Sequence, residues 1–309
     1  MINEPLFRNF TPLYQLIFLL LIILSSFLLT FLLGYLIAIP LFGPDVLPML
    51  SGIGGTNGEN NIEMMKYFQV VSQFGTFIIP AFVFAFIIKR DIWGYLKLTT
   101  PPQLKSIILS VVMIMAILPF INWLVSLNGM FHLPESLSGL EQWMRSSEQQ
   151  AMELTEAFLS DTTWKGLVIN LVMFAVLAAV GEELIFRGVL LRILYDWSKN
   201  RHLAVWLSAI LFSALHLQFF GFLPRMILGV VLGYLFLWSK SLWLPIVTHL
   251  INNAAAVIAA FFYFKGDIDT DMESFGSSAS PVTIVASFLI VVGLMYTVYS
   301  YEKKSGNVV

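Results

Sequence analysis

Long apolar runs separated by short polar connections dominate the sequence. A membrane-spanning helix needs about 20 mainly apolar residues. Eight segments approach that length, and they are approximately Leu13–Ile39, Tyr67–Ile88, Leu104–Leu127, Leu167–Leu190, Leu203–Phe219, Pro224–Trp238, Leu242–Phe264 and Val282–Tyr301. The fifth and sixth are short and are joined by a tight connection, so a seven-span count with a partly re-entrant hairpin stays open. The pattern predicts an all-α, polytopic membrane helical bundle of about eight transmembrane helices.

The composition agrees with a membrane protein and excludes several kinds of chemistry. The 309 residues are 58% hydrophobic and 12% charged, whereas soluble domains carry about 25% charged residues. With a net charge of -2 and no basic stripe with interleaved aromatic residues, no nucleic-acid partner is predicted. The absence of cysteine excludes disulfides, thiolate metal sites and a cysteine nucleophile. The first apolar run is too long for a signal peptide, so we expect it to be retained as a helix.

The distribution of Lys and Arg predicts the orientation, because cytoplasmic connections carry the excess of basic residues. With the amino terminus inside, the inner segments hold Arg8, Lys89, Arg90, Lys97, Lys105, Arg192, Lys199, Arg201, Lys240, Lys303 and Lys304. The outer segments hold Lys66, Arg145, Lys165, Arg225 and Lys265. Both termini are therefore predicted to be cytoplasmic, with a bacterial inner membrane as the expected location.

Four regions follow from these spans. Residues 1–130 hold the amino-terminal transmembrane helices, and 131–163 form an outer loop in which Pro134–Asp161 suggests an interfacial helix. Residues 164–264 form the core that carries the candidate chemistry, and 265–309 form an outer loop and the last transmembrane helix. A glycine-rich stretch, Gly43–Asn61, is predicted to be a flexible outer loop.

Two adjacent carboxylates and an arginine lie near the end of the fourth apolar run, in the stretch Gly181–Gly188. Each central charge costs about 2.5–3.5 kcal/mol on insertion scales, so such a cluster is a candidate functional site. On a helix Glu183 and Arg187 share a face and are predicted to form an ion pair. Glu182 lies about 100° further round the helix and can keep a free carboxylate for acid–base chemistry. A buried charge network that only ties helices together is the alternative.

Two later segments supply candidate partners one helical turn apart. Phe212 is followed by His216, and His249 is followed by Asn253. A lone histidine in an apolar helix is more often a packing residue, but two of them beside a carboxylate motif favour a shared polar site. Counting along the spans places His216 deeper than Glu182 and His249, so convergence requires the fifth span to tilt or start later. His132 and His202 have no comparable polar motif beside them, so both are expected to be solvated.

The ordered set Glu182-Glu183-x-x-x-Arg187, Phe212-x-x-x-His216 and His249-x-x-x-Asn253 resembles the CPBP family of intramembrane endopeptidases. This family is named for CAAX proteases and bacteriocin-processing enzymes and is also called the Abi family. The motifs cover roughly Leu167–Ala260, about a third of the chain. Each motif alone is weak, but the three together, in order on membrane helices, are fairly specific.

The resemblance implies a membrane protease with a water-filled cavity that opens toward the cytoplasm. By analogy Glu182 is the general base, assisted by His216, and His249 with Asn253 stabilises the oxyanion. Glu183, Arg187 and Phe212 would support the architecture. Carboxylate and imidazole groups can deprotonate water, and a histidine with an amide can donate to negative charge.

The predicted function is hydrolysis of a peptide bond in a membrane-associated peptide or protein, with the lipid bilayer as the other partner. No cofactor is expected, although zinc is an alternative because Glu182, His216, His249 and Asn253 could ligate it with an open water position. A non-enzymatic immunity or scaffold protein of the same family is a second reading. A transporter is a third, since embedded Glu, His and Arg also mark proton relays, but the chain shows no internal repeat.

Overall fold

The computed structural model describes residues 10–43, 46, 59–269 and 280–307. Within those ranges the protein is helical and contains no β-strand. Most of the predicted Gly43–Asn61 loop lies outside the described residues. The predicted fold class, a polytopic helical membrane bundle, is confirmed.

Nine helices longer than ten residues follow one another in the described ranges. They are α1 (Pro12–Phe42), α2 (Ile62–Lys89, with helical structure from Glu59), α3 (Leu104–Gly129), α4 (Ser138–Leu159), α5 (Trp164–Ser198), α6 (Arg201–Ala214), α7 (Phe222–Ser239), α8 (Trp243–Lys265) and α9 (Pro281–Lys304). All except α4 and α6 are long and apolar enough to cross a membrane. The protein is therefore an integral, multi-pass membrane protein.

The fifth predicted span, Leu203–Phe219, is shorter in the structure than the sequence suggested. Helix α6 ends at Ala214 and is about 21 Å long at 1.5 Å per residue, less than the roughly 30 Å of a hydrocarbon core. The chain then turns and returns through α7, which packs against α6. The eight-span and the seven-span predictions both included a short hairpin at this place, and the structure contains one.

The helix connections that carry most of the basic residues meet at one end of the bundle, here named the basic end. The Leu242 amide donates to the Lys97 carbonyl at 3.0 Å, and the Trp243 indole donates to the Leu98 carbonyl at 2.8 Å. These bonds join the α7–α8 connection to the α2–α3 connection. The Lys105 ammonium lies 4.9 Å from the Tyr301 ring and brings the end of α9 to the same place.

The remaining connections meet at the other end, here named the opposite end. The Asn128 amide, at the end of α3, donates to the Phe219 carbonyl in the α6–α7 connection at 2.6 Å. Helix α4, the predicted interfacial helix, lies beside that connection, since the Phe220 amide donates to a Glu148 carboxylate oxygen at 3.1 Å. The bundle thus has one strongly basic end and one end that carries α4 and most of the acids.

Helix α5 occupies the centre of the bundle. All its residues from 181 to 191 are buried. Two π-helical segments, Leu171–Leu177 and Leu184–Leu190, flank the α-helical turn Ala178–Glu183. Such wide turns are rare and occur frequently at functional sites because they rotate side chains out of the regular register.

Candidate active site

An ion pair between neighbouring turns of α5 supports the site from within the protein core. The Arg187 Nη1 donates to Glu183 Oε1 at 2.7 Å, and both side chains are buried, at 1% and 0% exposure. A second guanidinium nitrogen, Nη2, donates to the Gly229 carbonyl of α7 at 2.8 Å. The predicted Glu183–Arg187 pair is therefore present, and it also fastens α5 to α7.

The same carboxylate oxygen holds His249 of α8. The His249 Nδ1 lies 3.0 Å from Glu183 Oε1, and because a carboxylate oxygen accepts, Nδ1 carries the hydrogen. This bond turns the other ring nitrogen toward Glu182, whose Oε2 lies 3.8 Å from His249 Nε2. Glu183 thus orients the histidine, while Glu182 faces its reactive edge.

Phe212 is a spacer between the charged groups. Its ring is 1% exposed and lies 4.9 Å from the Arg187 guanidinium carbon. It also meets the His216 ring edge-on at 5.0 Å and the His249 ring at 6.0 Å. The aromatic ring therefore fixes how closely the two histidines can approach.

His216 lies in the turn just beyond the end of α6, and its ring still contacts the Phe212 ring, as the spacing predicted. The turn after Ala214 carries it, and its Nδ1 donates to the Phe212 carbonyl at 2.7 Å. Glu182, His216 and His249 line one cavity, so the depth mismatch expected from residue counting is absent from the structure. With the hydrogen on Nδ1, the neutral ring keeps a free lone pair on Nε2.

Asn253 is held against the first π-helical segment of α5. Its amide nitrogen donates to the Phe174 carbonyl at 3.0 Å, which the wide turn leaves available. Its side-chain oxygen accepts from the Asn252 amide at 3.1 Å. One amide hydrogen of Asn253 is left for a ligand.

A cavity of about 330 Å³ unites these groups. Glu182, His216, His249 and Asn253, the four predicted catalytic residues, all line it, as does Phe212, whereas Glu183 and Arg187 lie behind its wall. The aliphatic part of the wall comes mainly from α3 and α7 and consists of Ile117, Leu118, Ile121, Val125, Pro224 and Leu228. The other two histidines lie elsewhere: His132 bonds Glu141, and His202 bonds Tyr234.

Arg225 and Asn252 also line the cavity and were missed from the sequence. The Arg225 Nη2 donates to Gln218 Oε1 at 2.5 Å, and Nη1 is buried without a hydrogen-bond partner among the described residues. A lone cation at the start of an apolar span is the signal in the sequence that could have indicated Arg225. Asn252 had no signal beyond its place next to Asn253.

The donors available to a metal ion are limited in this arrangement. Within the described ranges, no three His, Asp or Glu side chains converge as a metal-holding group. Glu183 Oε1 is shared by Arg187 and His249. Glu182 and the Nε2 atoms of the two histidines are the groups that remain to contact water or a metal.

Comparison with known proteins finds similarity in the part of the chain that carries the candidate site. Residues 164–255 match a family model described as type II CAAX prenyl endopeptidase Rce1-like. That segment contains all seven residues singled out by the motifs.

Two curated proteins of Bacillus subtilis strain 168 are similar over part of their length. One, the uncharacterized protein YpbD, is 27% identical over 94 residues, which cover 29% of this chain and 45% of that protein. The other, the putative membrane peptidase YdiL, is 26% identical over 106 residues, which cover 34% of this chain and 42% of that protein. The chain thus matches less than half the length of either relative, and no solved structure gave a significant match.

These matches concern the part of the chain that carries the candidate site, and one of the two relatives is named a putative membrane peptidase. They fall on the helices that build the cavity, α5 to α8. For this third of the chain, the match confirms the resemblance to the CPBP family that the three motifs indicated.

Proposed function

We propose that the protein is an intramembrane endopeptidase in which Glu182 activates a water molecule for attack on a peptide bond. The observation that carries the proposal is that Glu182 is the one carboxylate among the described residues that lines the cavity. A general base must reach the water or the proton that it abstracts. Glu182 meets that condition, and Glu183 does not.

The two adjacent glutamates differ in how much of their hydrogen-bonding capacity is already used. Glu183 accepts from both Arg187 and His249 and is fully buried. Glu182 makes no hydrogen bond to another described residue, and its closest charged neighbour is His249 at 3.8 Å. A carboxylate that the protein leaves free can accept a proton from water. We therefore assign the role of general base to Glu182, and to Glu183 the structural role of holding Arg187 and His249.

His216 assists by taking or passing on the proton. Its Nδ1 hydrogen is committed to the Phe212 carbonyl, and Nε2 is left to accept. Positioned acid–base groups typically contribute about 10²- to 10⁴-fold to rate. We expect His216 to return a proton to the leaving amine, which must be protonated when the carbon–nitrogen bond breaks.

His249 and Asn253 stabilise the oxyanion of the tetrahedral intermediate. His249 can donate from Nε2 only when both ring nitrogens carry hydrogen, because Nδ1 already donates to Glu183. Asn253 supplies its second amide hydrogen. Fixed donors of this kind are worth about 2.7–4 kcal/mol each in other hydrolases.

The substrate is a membrane-associated peptide or protein with aliphatic residues near the scissile bond. The lining of the cavity combines the polar groups with aliphatic side chains such as those of Ile117, Ile121 and Leu228. An extended segment can lie between them with its apolar side chains against the aliphatic wall. Burial of each such side chain contributes about 1.5–3 kcal/mol before the costs of binding.

The direct test compares Glu182→Gln and His216→Ala with the unaltered protein. Both variants are expected to insert and accumulate normally while cleavage of a membrane-associated substrate falls at least about 10²-fold, the lower range for loss of an acid–base group. Glu153→Gln, on the exposed face of α4, is the matched control and should cleave normally. Normal cleavage by both site variants would overturn the assignment.

We propose further that the reaction needs no metal ion. Carboxylate and imidazole groups suffice to activate water here, and the side-chain oxygen of Asn253, the atom through which this residue would ligate zinc, already accepts a hydrogen bond from Asn252. Dialysis against a strong chelator should leave cleavage unchanged. Activity that disappears with the chelator and returns only with added zinc would contradict this part of the proposal.

A further inference from the structure

A second cavity, of about 690 Å³, lies at the basic end of the bundle and is larger than the catalytic cavity of about 330 Å³. In the described parts of the chain the two cavities share no lining residue. Four parts of the chain meet around the second cavity: the α2–α3 connection, the start of α6, the end of α7 and the second half of α9. It is here named the basic cavity.

The lining of the basic cavity carries three cations and, among the described residues, no carboxylate. The cations are Lys97 from the α2–α3 connection, Arg201 at the start of α6 and Lys240 directly after α7. Within the described ranges neither of the two lysines forms an ion pair with a carboxylate. A cluster of like charges is electrostatically unfavourable, and a bound anion would relieve the repulsion.

The described carboxylates of the basic end have partners elsewhere. They are Asp91, Asp196 and Glu302. Asp91 accepts from the Gly94 amide at 3.0 Å, and Asp196 lies 3.7 Å from the Lys199 ammonium. Glu302 is fully buried and accepts from the Ser106 hydroxyl. Negative charge for the basic cavity would therefore come from outside the described parts of the chain.

Lys97 shows the effect of this charge distribution. It lies outside the membrane-spanning helices, in the connection between α2 and α3. Partial burial lowers the pKa of Lys97, and the like charges of Arg192, Lys89 and Lys240 lower it further. An anion in the basic cavity would counteract the influence of these like charges, so the site favours a negatively charged ligand.

Bonds between two connections hold the lysines in place. The Leu242 amide donates to the Lys97 carbonyl at 3.0 Å, and the Ser241 hydroxyl donates to the Thr100 carbonyl at 2.5 Å. These bonds fix the segment that carries Lys240 against the segment that carries Lys97. The basic cavity is therefore preformed, and little backbone freedom has to be lost when a ligand binds.

Aromatic side chains continue the basic cavity along α7 and α9. Tyr234 stacks on Trp238 at 5.3 Å, and Trp238 meets Tyr299 of α9 edge-on at 5.5 Å. Tyr296, one turn earlier on α9, also lines the cavity and is 69% exposed. Tyr234 precedes Lys240 by six residues, or about 9 Å along a helix axis. The cavity thus extends from cations at the helix ends to aromatic rings of the kind that lie at headgroup level in membrane proteins.

We propose that the basic cavity binds the phosphate group of an anionic phospholipid. The phosphate lies against Lys97, Arg201 and Lys240, and the glycerol backbone and upper acyl chains lie along Tyr234 and Tyr296. Inorganic phosphate could use only the cations, whereas a phospholipid also uses the aromatic part, so we assign the lipid as the source of the phosphate.

The predicted orientation agrees with such a ligand. The excess of Lys and Arg predicts that the basic end is cytoplasmic, and basic pockets between transmembrane helices on that side bind anionic headgroups in other membrane proteins. The site is separate from the catalytic cavity, so the inference does not depend on the role of Glu182.

Lipid binding to the purified full-length protein in detergent tests the proposal. Native mass spectrometry would measure the dissociation constants of phosphatidylglycerol, which is anionic, and of phosphatidylcholine with the same acyl chains, which is zwitterionic. Lys97→Gln combined with Lys240→Gln removes two charges from the cavity. Lys89→Gln combined with Lys304→Gln is the matched control, because it removes two exposed charges from the same end but outside the lining. A third double variant, Lys97→Arg with Lys240→Arg, keeps the cavity charges.

We expect the unaltered protein to bind phosphatidylglycerol at least about tenfold more tightly than phosphatidylcholine. Loss of both cavity lysines should weaken phosphatidylglycerol binding about tenfold or more, the size expected for two lysine contacts with an anionic lipid. The control pair and the arginine pair should bind like the unaltered protein, and an excess of inorganic phosphate should leave lipid binding unchanged.

The proposal is overturned if both glutamine pairs weaken binding equally, if the two lipids bind equally well, or if inorganic phosphate displaces the lipid. The comparison of the two lipids uses the unaltered protein, so the proposal can fail even where a variant does not fold. Thermal unfolding of each variant without added lipid shows which of them are folded.

Discussion

Glu182 and Glu183 show how two identical, adjacent side chains acquire different chemistry. A helix separates consecutive side chains by about 100°, so one carboxylate faces the cavity and the other faces the core. Glu183 is enclosed by Arg187 and His249, while Glu182 has only a 3.8 Å contact with His249. The different surroundings of the two carboxylates are thus a consequence of helical geometry together with the partners that neighbouring helices supply.

Stability should distinguish the two glutamates. Glu183→Gln leaves the buried Arg187 charge without its partner, and breaking a buried ion pair in this way costs about 3–5 kcal/mol. Glu182→Gln breaks no close ion pair and should change the free energy of unfolding by less than about 1 kcal/mol, the ordinary range for a neutral site. Thermal unfolding of the purified protein in detergent measures both variants. An equal loss of stability would show that Glu182 also belongs to the buried charge network of Glu183 and Arg187.

Residue spacing predicted which side chains pair within a helix, but not which groups of neighbouring helices contact them. Glu183 and Arg187, four residues apart, were paired correctly because the contact is local. The Gly229 carbonyl, Asn252 and Arg225 were missed because each reaches the site through contacts between helices. The roles of Glu182, His216, His249 and Asn253 stay predictions until the variants are measured.

At the scale of the element, the hairpin of α6 and α7 determines the position of His216 and of the Gly229 carbonyl. A Cβ atom added at Gly229 would lie 3.1 Å from Ala209 Cβ and 3.2 Å from its Cα. The second of these is backbone and cannot move without shifting α6. The close approach of the two helices therefore requires glycine at this position.

Gly229→Ala is expected to destabilise the protein by about 1–3 kcal/mol, the usual cost of overpacking, and to reduce cleavage because the carbonyl that holds Arg187 would move. Gly293→Ala in α9 is the matched control, since a Cβ there meets nothing within 4 Å. Thermal unfolding should show a lower midpoint for the first variant and an unchanged or slightly higher midpoint for the second. Equal midpoints would contradict the close packing of α6 and α7.

The start of helix α4 depends on a carboxylate outside the membrane. Hydrogen bonds from Arg145, His132 and the Leu133 amide lower the pKa of Glu141 to about 2. A folded-state pKa below the unfolded value stabilises the fold above the unfolded pKa of about 4.3 and loses that contribution as the pH falls toward the folded value. Hydrogen exchange at residues 132–145 should therefore accelerate, relative to the rest of α4, as the pH falls from about 5 toward 2.

Glu141→Gln should remove this additional pH dependence and give fast exchange at the start of α4 at every pH, because the neutral amide cannot replace the carboxylate for Arg145. An unchanged pH profile in the variant would show that another group controls this end of the helix. Glu153→Gln, further along the exposed face of α4, serves as the control.

At the scale of the whole molecule, hydrophobic segments predicted the fold well because a bilayer permits few alternatives. Backbone polar groups must be satisfied within each span, so apolar runs of about 20 residues become helices. The length of α6 was not predictable, because the residues from Leu215 to Phe219 are nearly as apolar as the helix they follow. Contacts with α3 and α4, at Asn128 and Glu148, and the bond from the Ser213 hydroxyl to the Phe222 carbonyl hold the turn there.

A comparison of cleavage products in cells provides a direct test of whether Glu182 activates water to cleave a membrane-associated polypeptide. Amino termini in the membrane fraction would be mapped from cells that express the unaltered protein, Glu182→Gln or the control Glu153→Gln at equal abundance. The account predicts a set of new amino termini, adjacent to apolar segments, in the unaltered and control cells that is lost with Glu182→Gln. The same termini in all three samples would contradict it.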